Sequence, residues 1–320
     1  MKTIRFFLVF FSVLGLYSGF ASAQYPNRPI RLIVPFPPAG AAELGARIFA
    51  QPLGQQLGQP VIIETKPGAD GIIASEYVKQ AAPDGYTLYY GTATGLSYVP
   101  AVKKVPPYDP INDFTPISMV GMFGFFVFTH ASVPANTIGE LVAYARANPG
   151  KLNYGSGNGT SILATGSFAA QQKLDMVHIP YKGDGPLSID LLAGRVNMAI
   201  ATPGIAGPQV KDGKLRALAT LLPNRSPLLP DAPTMAEAGL APIPITPWGA
   251  LFGPPRLPKE VVDRVAHELA IVLVRPEVKD AFDKLAFEPR SSTPQELSAF
   301  VAEQLEAYRR VARQVGLSLD

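Results

Sequence analysis

The chain contains no cysteine, three histidines, a single tryptophan and, beyond its first residues, no apolar run of membrane-spanning length. The missing cysteines exclude disulfides, thiolate metal sites and a cysteine nucleophile. His130, His178 and His267 stand far apart in the sequence, without the short spacing that metal ligands require, so no metal site and no cofactor is expected. Strong charge of either sign is also absent: 28 Lys and Arg face 25 Asp and Glu. That balance, with no dense basic block, gives no reason to expect nucleic-acid binding. Nucleotide and hydrolase signatures are lacking too. Gly159 is followed by Thr160-Ser161 rather than by Lys and a hydroxyl residue, so the segment is no P-loop, and no G-x-S-x-G elbow occurs.

What is present begins with an export signal. Lys2 and Arg5 precede the mostly apolar stretch Phe6 to Phe20, and Ala21-Ser22-Ala23 fits the small-residue cleavage rule. Cleavage after Ala23 is expected, which makes residues 1–23 a signal peptide and reduces the formal charge from +3 to +1. A protein exported to the periplasm without disulfides depends on its core for stability.

Short apolar runs then alternate with helical patterns, the mark of a mainly parallel α/β architecture. Strands are expected at Ile30 to Val34, Val61 to Glu64, Tyr86 to Tyr90, Ile117 to Met122 and Phe125 to Phe128. Further strands are expected at Leu152 to Tyr154, Met176 to Pro180, Val196 to Ala201, Leu215 to Leu221 and Trp248 to Phe252. Helices are expected at Ala42 to Leu57, with a kink or break at Pro52, and at Ile72 to Ala82, Leu141 to Ala147, Leu187 to Ala193, Ile205 to Lys211 and Met235 to Ala238. Thr293-Pro294-Gln295-Glu296 carries the cap, proline and acid of a helix start. The chain falls into two βα series, and its helical tail is expected to rejoin the first. This gives one domain of residues 24–123 with 248–320 and another of 124–247, with crossings near Met122 to Phe126 and Thr246 to Phe252. Two crossings make a hinge, and pockets form at such interfaces.

Two glycine-bearing segments stand where a strand hands over to a helix: Pro35-Phe36-Pro37-Pro38-Ala39-Gly40 and Gly155-Ser156-Gly157-Asn158-Gly159-Thr160-Ser161. The first amides of a helix lack partners and sit at the positive end of its dipole, which suits an anion. Two such loops imply a ligand held from two sides, with the hydroxyls of Ser156, Thr160 and Ser161 beside the second. Glycines at such turns also serve tight turning alone. Glu43, Asp184 and Asp190 lie near these loops, but no nucleophile or metal cluster accompanies them, so no catalytic residue is assigned. Glu43 in a first helical turn complements the dipole. Phe36 fits core or pocket wall equally, and Trp248 is read as core.

Several segments together resemble the periplasmic solute-binding receptors of tripartite tricarboxylate transporters, the Bug receptors. They are Tyr25-Pro26-Asn27-Arg28-Pro29-Ile30, Val34-Pro35-Phe36-Pro37-Pro38-Ala39-Gly40, Ala82-Pro83-Asp84-Gly85-Tyr86-Thr87-Leu88, Asn148-Pro149-Gly150-Lys151-Leu152-Asn153-Tyr154-Gly155-Ser156, Pro180-Tyr181-Lys182-Gly183, Gly213-Lys214-Leu215-Arg216-Ala217-Leu218-Ala219 and Pro233-Thr234-Met235-Ala236-Glu237-Ala238-Gly239. The resemblance implies a two-domain Venus-flytrap fold and a monomer that captures a small carboxylate. It also implies delivery of that ligand to transmembrane transporter subunits. The alternatives are an orphan receptor feeding a sensor kinase and, less favoured, an exported hydrolase or lyase using Glu43 or Asp190.

It further implies that the loop Phe36, Pro38, Ala39, Gly40, Ala41 with Glu43, and the loop Ser156, Gly157, Asn158, Gly159, Thr160, Ser161, grip a carboxylate. Thr92, Thr94, Tyr181, Lys182, Gly183, Asp184 and Asp190 would complete the pocket. The chain departs from the family at the first loop, where Ala39-Gly40-Ala41-Ala42-Glu43 replaces Gly-Gly, a hydroxyl residue and Asp. It departs at the second where Ile162 replaces a frequent His. Both changes make the pocket less polar, so an acid with an apolar or aromatic body is expected over citrate-like polyanions.

Overall fold

The computed structural model describes residues 25–205 and 207–318, without the side chains of residues 205, 207 and 208. The expected signal peptide and its cleavage site lie outside the described residues.

β1 (Ile30–Val34) has Ile30, Leu32, Ile33 and Val34 wholly buried, because it is a central parallel strand covered on both faces. It pairs in parallel with β2 (Val61–Thr65) and with β3 (Thr87–Thr92). β4 (Thr115–Phe123), β10 (Trp248–Gly253) and β11 (Phe287–Pro289) complete a six-stranded sheet of order β11-β4-β10-β3-β1-β2. The second sheet has five strands in the order β7-β6-β8-β5-β9: β5 (Phe126–His130), β6 (Asn153–Ser156), β7 (Val177–Pro180), β8 (Met198–Ala201) and β9 (Leu215–Thr220). The sheets are mixed rather than mainly parallel. β10 runs antiparallel to β3 and β4, and β5 antiparallel to β8 and β9, because the strands next to the crossings enter their sheets from the far end. The chain passes from one sheet to the other between Phe123 and Phe126 and returns between Thr220 and Trp248.

The helices are α1 (Ala41–Leu57), α2 (Ile72–Lys79), α3 (Val99–Val102), α4 (Ile138–Ala147), α5 (Gly159–Gln172), α6 (Asp184–Leu192), α7 (Gly207–Lys211), α8 (Lys259–Leu273), α9 (Pro276–Asp283) and α10 (Pro294–Gln314). α1 does not break at Pro52: burial of Ala46, Phe49 and Leu53 outweighs the missing hydrogen bond. α2 stops at Lys79, ahead of Pro83, which disfavours helical backbone in the residue before it. No helix forms at Met235 to Ala238. Thr234 and Glu237 exchange the two capping hydrogen bonds, but Gly239 with φ 73° turns the chain out at once. β6 runs on through Gly155 and Ser156, which the sequence places in a loop. At Gly155 a Cβ would lie 2.2 Å from Leu187 Cδ1, so glycine lets α6 pack directly on the strand. At the start of α10, Glu296 N–H donates to Thr293 Oγ1 at 3.2 Å and Thr293 N–H to Glu296 Oε2 at 2.8 Å. α10 lies along β4 and reaches α5, where Val315 faces Gly166.

Candidate functional site

The site begins where β1 ends. Three prolines stiffen the loop Pro35 to Pro38, and Ala39 then takes a left-handed φ of 62°. Its N–H donates to Glu43 Oε2 at 3.0 Å, and Gly40 N–H donates to Pro37 O at 3.3 Å. Glu43 is buried and ion-paired with Arg47, so it ties the loop to α1 and does not reach the cavity. Gly40 is the N-cap of α1 and supplies no side-chain cap. The first-turn amides of Ala41, Ala42 and Glu43 therefore find no acceptor among the described residues. Ala41 and Ala42 line a cavity of about 410 Å³ between the two sheets.

The second loop is more self-contained. Asn158 caps α5 by accepting from Ser161 N–H at 3.0 Å, while Asn158 N–H reaches Ser161 Oγ at 3.3 Å. Gly159 N–H, instead of standing open, donates to Asp70 Oδ1 at 3.2 Å, and Asp70 belongs to the turn after β2. Thr160 Oγ1 lies 2.9 Å from Thr94 Oγ1, a second bond between the two halves. Gly159 also presses on the buried Tyr98 ring, where a Cβ would stand 2.0 Å from Cδ1 and Cε1. Ser156 Oγ pairs with His178 Nε2 at 2.6 Å, behind the loop.

The third wall follows β7. Tyr181 O–H donates to Asp190 Oδ2 at 2.7 Å, and Asp190 pairs with Arg195. The Tyr181 hydrogen bond and the Arg195 guanidinium hold the Asp190 carboxyl below its ordinary range. This network braces α6 through residues that do not themselves line the cavity. Asp184, the first residue of α6, does line it. Its Oδ2 accepts from Thr202 Oγ1 at 3.2 Å, while its Oδ1 is closed to solvent and has no partner. Burial pushes its carboxyl upward. The Oδ1 lies on Gly157, where a Cβ would be 2.2 Å away.

Of the residues singled out by sequence, Phe36, Pro38, Ala39, Gly40, Ala41, Thr92, Thr94, Gly157, Asn158, Thr160, Lys182, Gly183 and Asp184 meet around the cavity. Glu43, Ser156, Gly159, Ser161, Tyr181 and Asp190 stand behind that lining and hold it. Sequence reasoning missed Phe123, Phe125, Pro247 and Trp248, which line the cavity at the two crossings, and Leu285. The crossings themselves were the available signal. Trp248 is fully buried, as expected of a core residue, yet its Nε1 finds no partner, and nor does Thr92 Oγ1. The walls are mostly apolar, and Lys182 is the one cationic side chain among the lining residues. No cluster of metal-ligating residues occurs among the described residues.

A family model described as "Tripartite tricarboxylate transporter family receptor" matches residues 45–317. The chain is 32% identical to Protein BugT of Bordetella pertussis over 97% of its own length and 96% of that protein. Among solved structures it resembles the periplasmic binding protein BugD, at 30% identity and a TM-score of 0.83, covering 92% of this chain and 99% of that one. It also resembles the R. palustris protein Rpa4515 with adipate, at 29% identity and a TM-score of 0.86, with the same coverage.

Proposed function

Because the chain belongs to the tripartite tricarboxylate transporter receptors, a family of periplasmic binding proteins and not of enzymes, we propose that it captures a small organic carboxylate with an apolar or aromatic body. The observation that carries this reading is the N-terminus of α1, whose uncapped first-turn amides open into an apolar-walled cavity. The helix end contributes about 0.3–1 kcal/mol to an anion there, up to about 2 when partly buried. Each charge-assisted hydrogen bond adds about 1.5–3 kcal/mol. Phe36, Phe123, Phe125 and Trp248 offer a hydrophobic bed for the body of the ligand.

On this reading residues 25–123 with 248–318 are one lobe, and the described residues of 124–247 the other. The ligand docks on the first lobe, the lobes rotate about the crossings at 123–126 and 221–247, and Gly159 seats on Tyr98 as the cavity closes. The relative with adipate supports a carboxylate as ligand. The receptor acts as an exported monomer, freed of its signal peptide after Ala23, and passes its ligand to membrane transporter subunits.

Calorimetry with matched pairs tests the reading. An aromatic acid such as benzoate should bind and its uncharged amide should not. Equal binding of acid and amide would remove the anion seat at α1, and a requirement for a tricarboxylate would remove the apolar bed.

A further inference from the structure

Two carboxyl groups flank the second loop, and no ion pair among the described residues neutralises either. Asp70 reaches across from the turn after β2, in a left-handed backbone conformation with φ 54°, to accept the Gly159 amide. Asp184 comes from the opposite side, its Oδ1 against Gly157 and without a partner. Burial raises the proton affinity of both, with the Gly159 and Thr202 hydrogen bonds opposing it. The loop they embrace, with Gly157, Asn158 and Thr160, forms the wall facing the apolar residues of the first lobe. The amide that would have met an incoming anion there is already taken by Asp70. Lys182, two residues before Asp184, is exposed, so water screens its charge, while burial leaves the two carboxyls in a medium of lower dielectric.

We propose that Asp70 and Asp184 are specificity-determining residues that make the second-loop end of the cavity reject a second carboxylate, so that the ligand is a monocarboxylate whose far end is neutral or a hydrogen-bond donor. This rests on the reading of the cavity as a carboxylate receptor and adds which class of acid it takes. The first carboxylate goes to the amides of α1, where the one nearby acid, Glu43, is already held by the Ala39 amide and neutralised by Arg47. The far end of the ligand then faces Asp184 on the cavity wall, with Asp70 behind the loop: like charge if it is anionic, and an acceptor if it is an amine or hydroxyl. Discrimination of this kind comes from the repulsive element in the wall.

Hexanoate, 6-aminohexanoate and adipate share one chain length and differ only at the far end, so calorimetry on the purified protein separates the cases. Hexanoate and 6-aminohexanoate should each bind at least about tenfold more tightly than adipate. Asp70→Asn keeps an oxygen to accept the Gly159 amide, and Asp184→Asn keeps one for Thr202, so both variants preserve the loop while removing charge. Each should narrow the preference against adipate, and the double variant should abolish it. Adipate binding as tightly as hexanoate to the unaltered protein would overturn the proposal, as would an unchanged preference in the double variant. Failure of all three acids and of aromatic acids to bind would instead strike the carboxylate reading beneath it.

Discussion

Replacing Gly159 by alanine puts the closing motion itself on trial. The added Cβ would lie 2.0 Å from two carbons of Tyr98 and 2.5 Å from a third. Non-bonded carbons prefer about 3.5–4 Å, so loop and ring must part by about 1.5–2 Å. Tyr98 cannot give way, because it is buried in the π-helical segment Thr94–Tyr98. That parting breaks the Thr94–Thr160 contact at 2.9 Å and the Gly159–Asp70 bond at 3.2 Å. A neutral hydrogen bond is worth about 0.5–1.5 kcal/mol and one to a charged group about 1.5–3. The closed form therefore loses at least about 2 kcal/mol relative to the open one, and affinity, which scales with the population competent to close, falls about 30-fold or more. The fold of each lobe should survive, since alanine suits a first helical turn better than glycine does.

Gly157→Ala is the informative contrast. Its Cβ would meet Asp184 Oδ1 at 2.2 Å and the Asp184 N at 2.8 Å, both within the second lobe. It should lower the melting temperature whether or not ligand is present. Calorimetry with the best-binding acid, alongside melting curves without ligand, distinguishes the two variants. Wild-type affinity in the Gly159→Ala protein would mean that the liganded state does not bring Gly159 onto Tyr98, and the closure argument would fall.

Ala39→Gly should stabilise the protein, because the left-handed φ of 62° costs alanine about 1–2 kcal/mol and the greater chain entropy of glycine returns about 0.5–1. A rise of the urea midpoint corresponding to about 0.5–1 kcal/mol is expected, and a fall would show that the methyl group packs usefully. Thr293→Ala removes the acceptor that caps α10 and should cost about 1 kcal/mol in the same assay, without changing ligand affinity. Asp184→Asn should raise the melting temperature of the ligand-free protein at neutral pH, with the gain shrinking as the pH is lowered. The sign follows from burial, which raises the Asp184 carboxyl in the folded state. The stability of a group so shifted is complete below its unfolded pKa and is lost as pH rises through the folded one. A gain that grew towards acid pH would contradict it.

The parts of the molecule legible in the sequence are those whose cause is local. The apolar run Ile30–Val34 has to be a buried strand, and Thr293 with Glu296 has to start a helix, because the groups that satisfy each other lie within a few residues. The anion-ready end of α1 was legible for the same reason: a glycine cap leaves its first amides open wherever the helix is placed. Trp248 shows where this stops. Its burial could be expected from its type, but its place on the cavity wall depends on the pairing of β10 with β3 and β4, which no spacing encodes.

Asp70 marks the limit more sharply and changes what the second loop is for. In the sequence it is one polar residue in a turn, 89 positions before the amide it binds. A reader of the sequence sees two glycine loops and infers two open anion seats. Folding brings Asp70 across and fills one of them, while Asn158 serves the third amide of the same helix. The two loops therefore divide the work. The N-terminus of α1 keeps its amides for the ligand, whereas at α5 the Gly159 amide is spent across the lobes on Asp70 and the Ser161 amide on Asn158, with the Thr160 hydroxyl adding a second contact between the lobes. A ligand in the cavity then gains from closure through burial against Phe36, Phe123, Phe125 and Trp248 more than through a second set of amides. On that division, closure strength and anion affinity are separable properties: changes at Gly159 or Thr160 alter how far the cavity closes on any guest, whereas changes at Ala41 and Ala42 alter whether a charged guest is preferred to a neutral one of the same shape.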